Sequence, residues 1–106
     1  MRYRFMRVMV FFDLPVESTP QRKEYSKFRK FLLNEGFIMM QKSVYSKVTL
    51  NASSSDLVIQ NIKKHVPPEG VVQILKITEK QYQSIEYLIG EPQKEIVDSQ
   101  QRLVIL

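Results

Sequence analysis

The chain has 106 residues, contains no cysteine and carries a formal net charge of +5 at neutral pH. This length fits one domain, and the lack of cysteine excludes a disulfide framework, a thiolate metal site and a cysteine nucleophile. No stretch approaches the roughly 18 apolar residues of a membrane span. The sequence MRYRFMRVMVFF does not resemble a signal peptide, because arginines interrupt its apolar residues. We therefore expect a cytoplasmic protein with no membrane partner.

The positive charge is concentrated in the first half of the chain. Residues 1–50 carry ten Lys/Arg and four Asp/Glu, whereas residues 51–106 carry six Lys/Arg and seven Asp/Glu. Such asymmetry indicates a phosphate-bearing partner for the first half, and nucleic acid is the simplest one. The alternative is a solvated basic face that only keeps the protein soluble.

The first predicted element is a buried strand over residues 5–12, FMRVMVFF, which ends at Asp13. Val8 and Val10 lie on one side of this strand, and Met9 and Phe11 lie on the other. Because both sides are apolar, the sheet that contains the strand needs cover on both faces.

A basic amphipathic helix follows within STPQRKEYSKFRKFLLNEG. Thr19 can cap it and Gly36 can end it. Lys23, Lys27 and Lys30 fall at i, i+4 and i+7, opposite the apolar stripe. Cations on one helix face can contact the phosphates of a duplex without recognising its sequence. The predicted nucleic-acid footprint consists of Arg22, Lys23, Lys27, Arg29, Lys30, Lys42 and Lys47.

The rest of the chain predicts an α+β domain. We expect a strand over residues 37–48, a helix over 54–66, a strand over 71–78, a helical turn in EKQYQS and a strand over 85–90. Such an order predicts a single ferredoxin-like (split βαβ) domain over residues 1–106, with an antiparallel sheet and two helices on one face.

The other face of this sheet needs cover, and a second copy of the chain is the simplest candidate. The final segment RLVIL is predicted to form a C-terminal edge strand. We expect residues 85–106 to complete a symmetric homodimer. The predicted dimer residues are Arg102, Leu103, Val104, Ile105 and Leu106.

Three segments together resemble one known family. VMVFFDLP, YSKFRKFLLNEGFIMMQKSVYSK and ITEKQYQSIEYLIG are similar to the small CRISPR-associated Cas-two family, in the form that accompanies Cas-nine systems. The resemblance covers about residues 6–106. Members usually begin near the position of Met6, so MRYRF looks like an extension, or Met6 is a second possible start. The resemblance implies a homodimeric, ferredoxin-like scaffold that binds duplex DNA and the Cas-one integrase during acquisition of new CRISPR spacers.

The resemblance also implies a second activity, because the family is classed as metal-dependent endonucleases that act on RNA or on double-stranded DNA. It makes Asp13 the tentative catalytic residue and the ligand of a divalent metal, with Mg²⁺ the expected cofactor. A single carboxylate is a poor magnesium site, although a dimer axis between two copies of Asp13 would supply two carboxylates.

Asp13 also has a purely structural interpretation, since Asp commonly ends a strand at a turn. No histidine or second carboxylate pairs with Asp13 at a recognisable spacing. This favours the scaffold over the nuclease, and a regulatory dimer that binds no nucleic acid is the third possibility.

Overall fold

The computed structural model describes residues 4–92 and has an α+β architecture with a four-stranded antiparallel sheet and three helices. The predicted α+β class is therefore confirmed. The dimer residues 102–106 lie outside the described part of the chain, so their role stays a prediction. In chain order the elements are β1 (Met6–Asp13), α1 (Thr19–Asn34), β2 (Ile38–Gln41), β3 (Val44–Thr49), α2 (Ala52–Lys63), β4 (Val71–Thr78) and α3 (Glu79–Gln83).

Strand β1 lies inside the sheet, whose strand order is β2-β3-β1-β4. Val10 lies opposite Tyr45 of β3 and opposite Ile74 of β4. Because side chains alternate along a strand, the pleat carries Val10 and these two partners to one face of the sheet and Asp13 to the other.

Helices α1 and α2 cover the first of these faces. Phe28 and Leu32 of α1 and Ile62 of α2 belong to the same buried cluster as Val8 and Val10 of β1. The prediction that both long helices pack on one face is therefore correct.

The predicted strand over residues 37–48 is wrong, because this segment folds as a hairpin of β2 and β3. The two-residue turn consists of Lys42 and Ser43, and Ser43 has a φ of 67°. The sequence did not indicate this turn, because Gly, Asn or Asp usually occupies the positive-φ positions of a hairpin turn. Lys42 and Ser43 are none of these.

Both long helices start earlier in the chain than predicted. The hydroxyl of Ser18, rather than that of Thr19, caps α1, since it accepts a hydrogen bond from the backbone N–H of Gln21. Asn51 caps α2 by accepting from the N–H of Ser54, so α2 begins at Ala52 instead of residue 54. In both cases a neighbouring polar side chain provides the acceptor that the first turn of a helix needs.

The predicted strand over residues 85–90 is not formed within the described chain. Leu88 and Ile89 are 93% and 92% exposed, and β4 is the last strand of the sheet before them. A strand needs a neighbouring strand as its hydrogen-bonding partner, and this segment has none within residues 4–92. The predicted helical turn before it is confirmed as α3.

Among the helices of residues 4–92, none has the length and the apolar character needed to cross a bilayer.

Candidate nucleic-acid interface and the Asp13 groove

The predicted lysine face exists as one continuous surface on α1. Lys23, Lys27 and Lys30 are exposed and line a shallow open groove together with Thr19, Arg22 and Ser26. The apolar residues of α1 face the sheet, so these lysines project from the opposite side. The helical spacing thus predicted a real cluster of three ammonium groups, which we call the lysine face.

Two other members of the predicted footprint already make hydrogen bonds within the chain. The guanidinium of Arg22 donates to the carbonyl oxygens of Val16 at 3.1 Å and Glu17 at 2.9 Å. The ammonium of Lys47 donates to the carbonyl oxygen of Glu35, just after the end of α1. Because helix C-termini leave carbonyls without intrahelical partners, Lys47 has a structural role there.

The remaining two predicted cations lie outside the lysine face. Arg29 is an exposed residue of α1, and Lys42 is exposed at the turn between β2 and β3. Neither lines the groove of Lys23, Lys27 and Lys30.

Asp13 lies at the end of β1 and its side chain is exposed. It borders an open groove of about 180 Å³ that is also lined by Phe11, Ser43, Val71 and Gln73. Phe11, Asp13, Val71 and Gln73 share the sheet face opposite α1 and α2, because Phe11 pairs with Gln73 and Asp13 with Val71. Asp13 is therefore accessible to a ligand, and its role as a metal ligand stays a prediction.

One chain alone does not supply a magnesium site around Asp13. Among residues 4–92 there is no group of three or more His, Cys, Asp or Glu side chains that could hold a metal ion. Magnesium favours six oxygen ligands and usually takes one or two carboxylates with water and phosphate. The Asp13 groove offers one carboxylate and the nearby Ser43, so the residues of a single chain do not fit the implied metal.

The backbone of Ser43 connects this groove to the sheet. The N–H of Phe12 donates to the carbonyl of Ser43 at 3.1 Å, so the β2–β3 turn is tied to β1 one residue before Asp13. Tyr45 and Ser46, which follow in β3, are 1% and 0% exposed and cannot contact a ligand from solvent.

An ion pair that sequence reasoning missed holds α3 on the second face of the sheet. Arg7 of β1 donates to Glu79 through two parallel hydrogen bonds of 2.9 and 2.7 Å. Its guanidinium also lies 3.9 Å from the centre of the Tyr82 ring and 3.3 Å from the Ser46 hydroxyl. The hydrogen bonds from Arg7 hold the pKa of Glu79 below its usual value, although partial burial opposes this shift. An arginine inside an apolar strand was the available signal, since such a charge needs a partner.

The sequence of this chain matches a model of a known protein family. Residues 6–85 match the family model described as CRISPR associated protein Cas2. The chain belongs to the Cas2 family. This is the Cas-two family that the three sequence segments resemble, so that resemblance is confirmed.

Curated Cas2 relatives match nearly the whole chain. One from Treponema denticola is 52% identical over 95% of this chain and 100% of its own length. Another, from Ligilactobacillus salivarius, is 50% identical with the same coverage. Both are named CRISPR-associated endoribonuclease Cas2.

A solved Cas2 structure supports the fold independently. It aligns with a TM-score of 0.56 and 18% identity, over 95% of this chain and 99% of its own chain. At this identity the likeness concerns the fold alone.

Proposed function

We propose that this Cas2-family protein is a dimeric scaffold that binds duplex DNA and the Cas-one integrase during acquisition of new CRISPR spacers. The observation that carries the proposal is the lysine face of α1, on a domain whose family belongs to CRISPR systems. Its three ammonium groups stand on one rigid helix and are not engaged in ion pairs among the described residues.

Such a surface suits a protein that accepts DNA fragments of any sequence. Contacts to phosphate fix the position and direction of a duplex but carry no direct sequence information. Sequence-specific recognition would need side chains that reach base edges in a groove, and the lysine face consists of long flexible cations around small hydroxyl residues. We therefore expect sequence-tolerant binding with a strong dependence on salt.

The test is the salt dependence of binding to a labelled duplex. Each phosphate contact that is lost should reduce the slope of log affinity against log salt by about 0.9. The triple variant Lys23→Gln, Lys27→Gln, Lys30→Gln should therefore lose about two to three phosphate contacts, and the slope should become less steep by about 0.9 for each of them. The control is Lys63→Gln, Lys76→Gln, Lys80→Gln, which removes the same charge outside the face. Equal slopes in the two triple variants would contradict the proposal.

We infer that the domain has ferredoxin-like topology and forms a symmetric homodimer through its second sheet face. The β-α-β-β-α-β order and the strand order β2-β3-β1-β4 support the topology. On that face Val71 and Leu75 are 54% and 47% exposed, and Phe11 is half-buried. A second copy would remove this apolar surface from water.

The dimer is tested by sedimentation of the whole chain and of a chain that lacks residues 102–106. The truncated chain should dissociate at a higher concentration or lose solubility, because the apolar end segment RLVIL is expected to pair with a sheet edge. A truncated chain that stays a stable, folded dimer would contradict this role.

The second candidate function is a metal-dependent endoribonuclease or double-stranded DNase. It is favoured by the accessible Asp13 groove and by the endoribonuclease names of the relatives. Since one chain supplies one carboxylate, this function would require two copies of Asp13 in a dimer, or phosphate oxygens of the substrate, to complete a site for Mg²⁺. The role of Asp13 would be to hold the metal.

A further inference from the structure

A second cationic site lies between the two long helices, where α1 faces the end of α2. It is a cleft of about 200 Å³ whose walls include Lys27 and Phe31 of α1 and Lys64 and His65 just after α2. The cleft also contains one carboxylate, Glu24, which is half-buried. The cleft is therefore lined by two ammonium groups and one imidazole but only one acidic group.

The imidazole of His65 is held in a defined orientation in this cleft. Its ring stacks on Phe31, with ring centres 4.2 Å apart and planes inclined by 16°. Nδ1 lies 2.8 Å from the carbonyl oxygen of Asn61. A carbonyl oxygen only accepts hydrogen bonds, so Nδ1 carries the hydrogen and Nε2 is the nitrogen that gains a proton when the ring becomes a cation.

The cleft is continuous with the lysine face through one shared residue. Lys27 lines both the shallow groove on α1 and the cleft beside α2. A ligand with regularly spaced negative charges could therefore contact the lysine face and the cleft at the same time. Duplex DNA has this property, because each strand carries one phosphate charge per roughly 3.4 Å of helix axis.

We propose that the cleft of Lys27, Lys64 and His65 holds a further backbone phosphate of the duplex that the lysine face binds. This inference rests on the proposed DNA-binding function and adds a second helix to the binding surface. Lys64 supplies a permanent positive charge from the α2 side. His65 adds a charged donor at Nε2 when it is protonated, and Glu24 weakens the site by repelling the phosphate.

Protonation of His65 links this site to pH. The charged groups that line the cleft with the ring are Glu24, Lys27 and Lys64. A bound phosphate adds negative charge beside the ring and therefore favours the protonated form. DNA affinity should therefore rise as the pH falls from about 7.5 to 5.5, by an amount that depends on His65.

Two neighbouring lysines allow a matched test. Lys63 and Lys64 are both exposed, but only Lys64 lines the cleft. With a labelled duplex, Lys64→Gln should lower the slope of log affinity against log salt by about 0.9. Lys63→Gln should leave the slope at its wild-type value, although it removes the same charge one residue away.

Two further variants test the cleft by independent measurements. His65→Asn should remove most of the gain in affinity between pH 7.5 and 5.5, and Glu24→Gln should strengthen binding at both pH values. Thermal melts of each variant should be measured in parallel to check that the domain is folded. If the wild-type protein binds DNA but Lys64→Gln and Lys63→Gln behave alike, the cleft is not a phosphate site. A wild-type protein that binds no duplex at all would overturn the proposed function as well.

Discussion

Gly70 packs directly against the backbone of Asp13, and no side chain fits between them. A β-carbon on Gly70 would lie 2.7 Å from the carbonyl oxygen of Asp13 and 2.8 Å from Cδ2 of Leu14. Gly70 also has a φ of +98°, in the region that disfavours other residues. The turn before β4 therefore packs closely against the end of β1, where Asp13 lies.

This contact predicts that Gly70→Ala destabilises the domain strongly. The left-handed backbone alone costs an L-residue about 1–2 kcal/mol, and the clash with the β1 backbone adds to this. Gly90→Ala is the matched control, because Gly90 has a φ of +84° but no atom of residues 4–92 lies within 4 Å of where its β-carbon would be. In denaturant unfolding, Gly70→Ala should lose clearly more free energy of unfolding than Gly90→Ala. Equal losses would mean that the contact with Asp13 is unimportant.

The pair of Arg7 and Glu79 predicts a dependence of stability on pH. Hydrogen bonds from Arg7 lower the pKa of Glu79 in the folded protein. The pKa of a glutamate in an unfolded chain is about 4.3. The folded state thus binds the proton less readily than the unfolded state. The stabilisation is fully present above about pH 5 and is lost as the pH falls through the folded pKa. Glu79→Gln should lower the melting temperature at pH 7 and reduce the loss of stability on acidification.

The ion pair of Lys76 and Asp56 provides the control for this prediction. Its side chains are 34% and 63% exposed, whereas those of Arg7 and Glu79 are 9% and 25% exposed. Exposed pairs contribute about 0–1 kcal/mol, and hydrogen bonds to charged groups about 1.5–3 kcal/mol. Asp56→Asn should therefore change the free energy of unfolding less than Glu79→Gln. The reverse order would contradict the role assigned to Arg7.

The sequence predicted elements whose signal is local and periodic. The apolar run of β1 and the lysine spacing of α1 are contained within single elements, so they could be interpreted without tertiary information. The contact of Arg7 with Glu79 could not be predicted in this way, because 72 residues separate the two along the chain. The stack of Phe31 on His65 was missed for the same reason. The position of Asp13 beside Gly70 depends on how β1 and β4 pair.

The turn at Ser43 predicts a stabilising substitution. Ser43 has a φ of 67°, the only positive φ of a non-glycine residue within residues 4–92. Glycine adopts this conformation without steric strain but loses more entropy on folding. Ser43→Gly should therefore raise the free energy of unfolding by about 0.5–1 kcal/mol. Lys42→Gly, at the neighbouring turn position, should lower it, and a loss of stability in Ser43→Gly would refute the argument.

Asp13 separates the two proposed functions, because only the nuclease needs its carboxylate. We expect Asp13→Ala to abolish any metal-dependent cleavage by the isolated protein, and to leave integrase binding and spacer acquisition largely intact. In a dimer with two copies of Asp13 near the axis, the carboxylates would repel each other unless a cation lay between them. Without divalent metal, the melting temperature of Asp13→Ala should then be equal to that of the wild-type protein or slightly higher.

The control for Asp13→Ala is Glu17→Ala, which removes a nearby exposed carboxylate outside the groove. Cleavage, integrase binding and acquisition should be measured for both variants in one series, so that loss of charge alone is accounted for. Glu17→Ala should retain all three activities. If Asp13→Ala still binds the integrase but loses acquisition while Glu17→Ala retains it, the carboxylate of Asp13 acts in acquisition itself. The scaffold function would then be insufficient, because a scaffold needs the lysine face and the fold but no metal ligand.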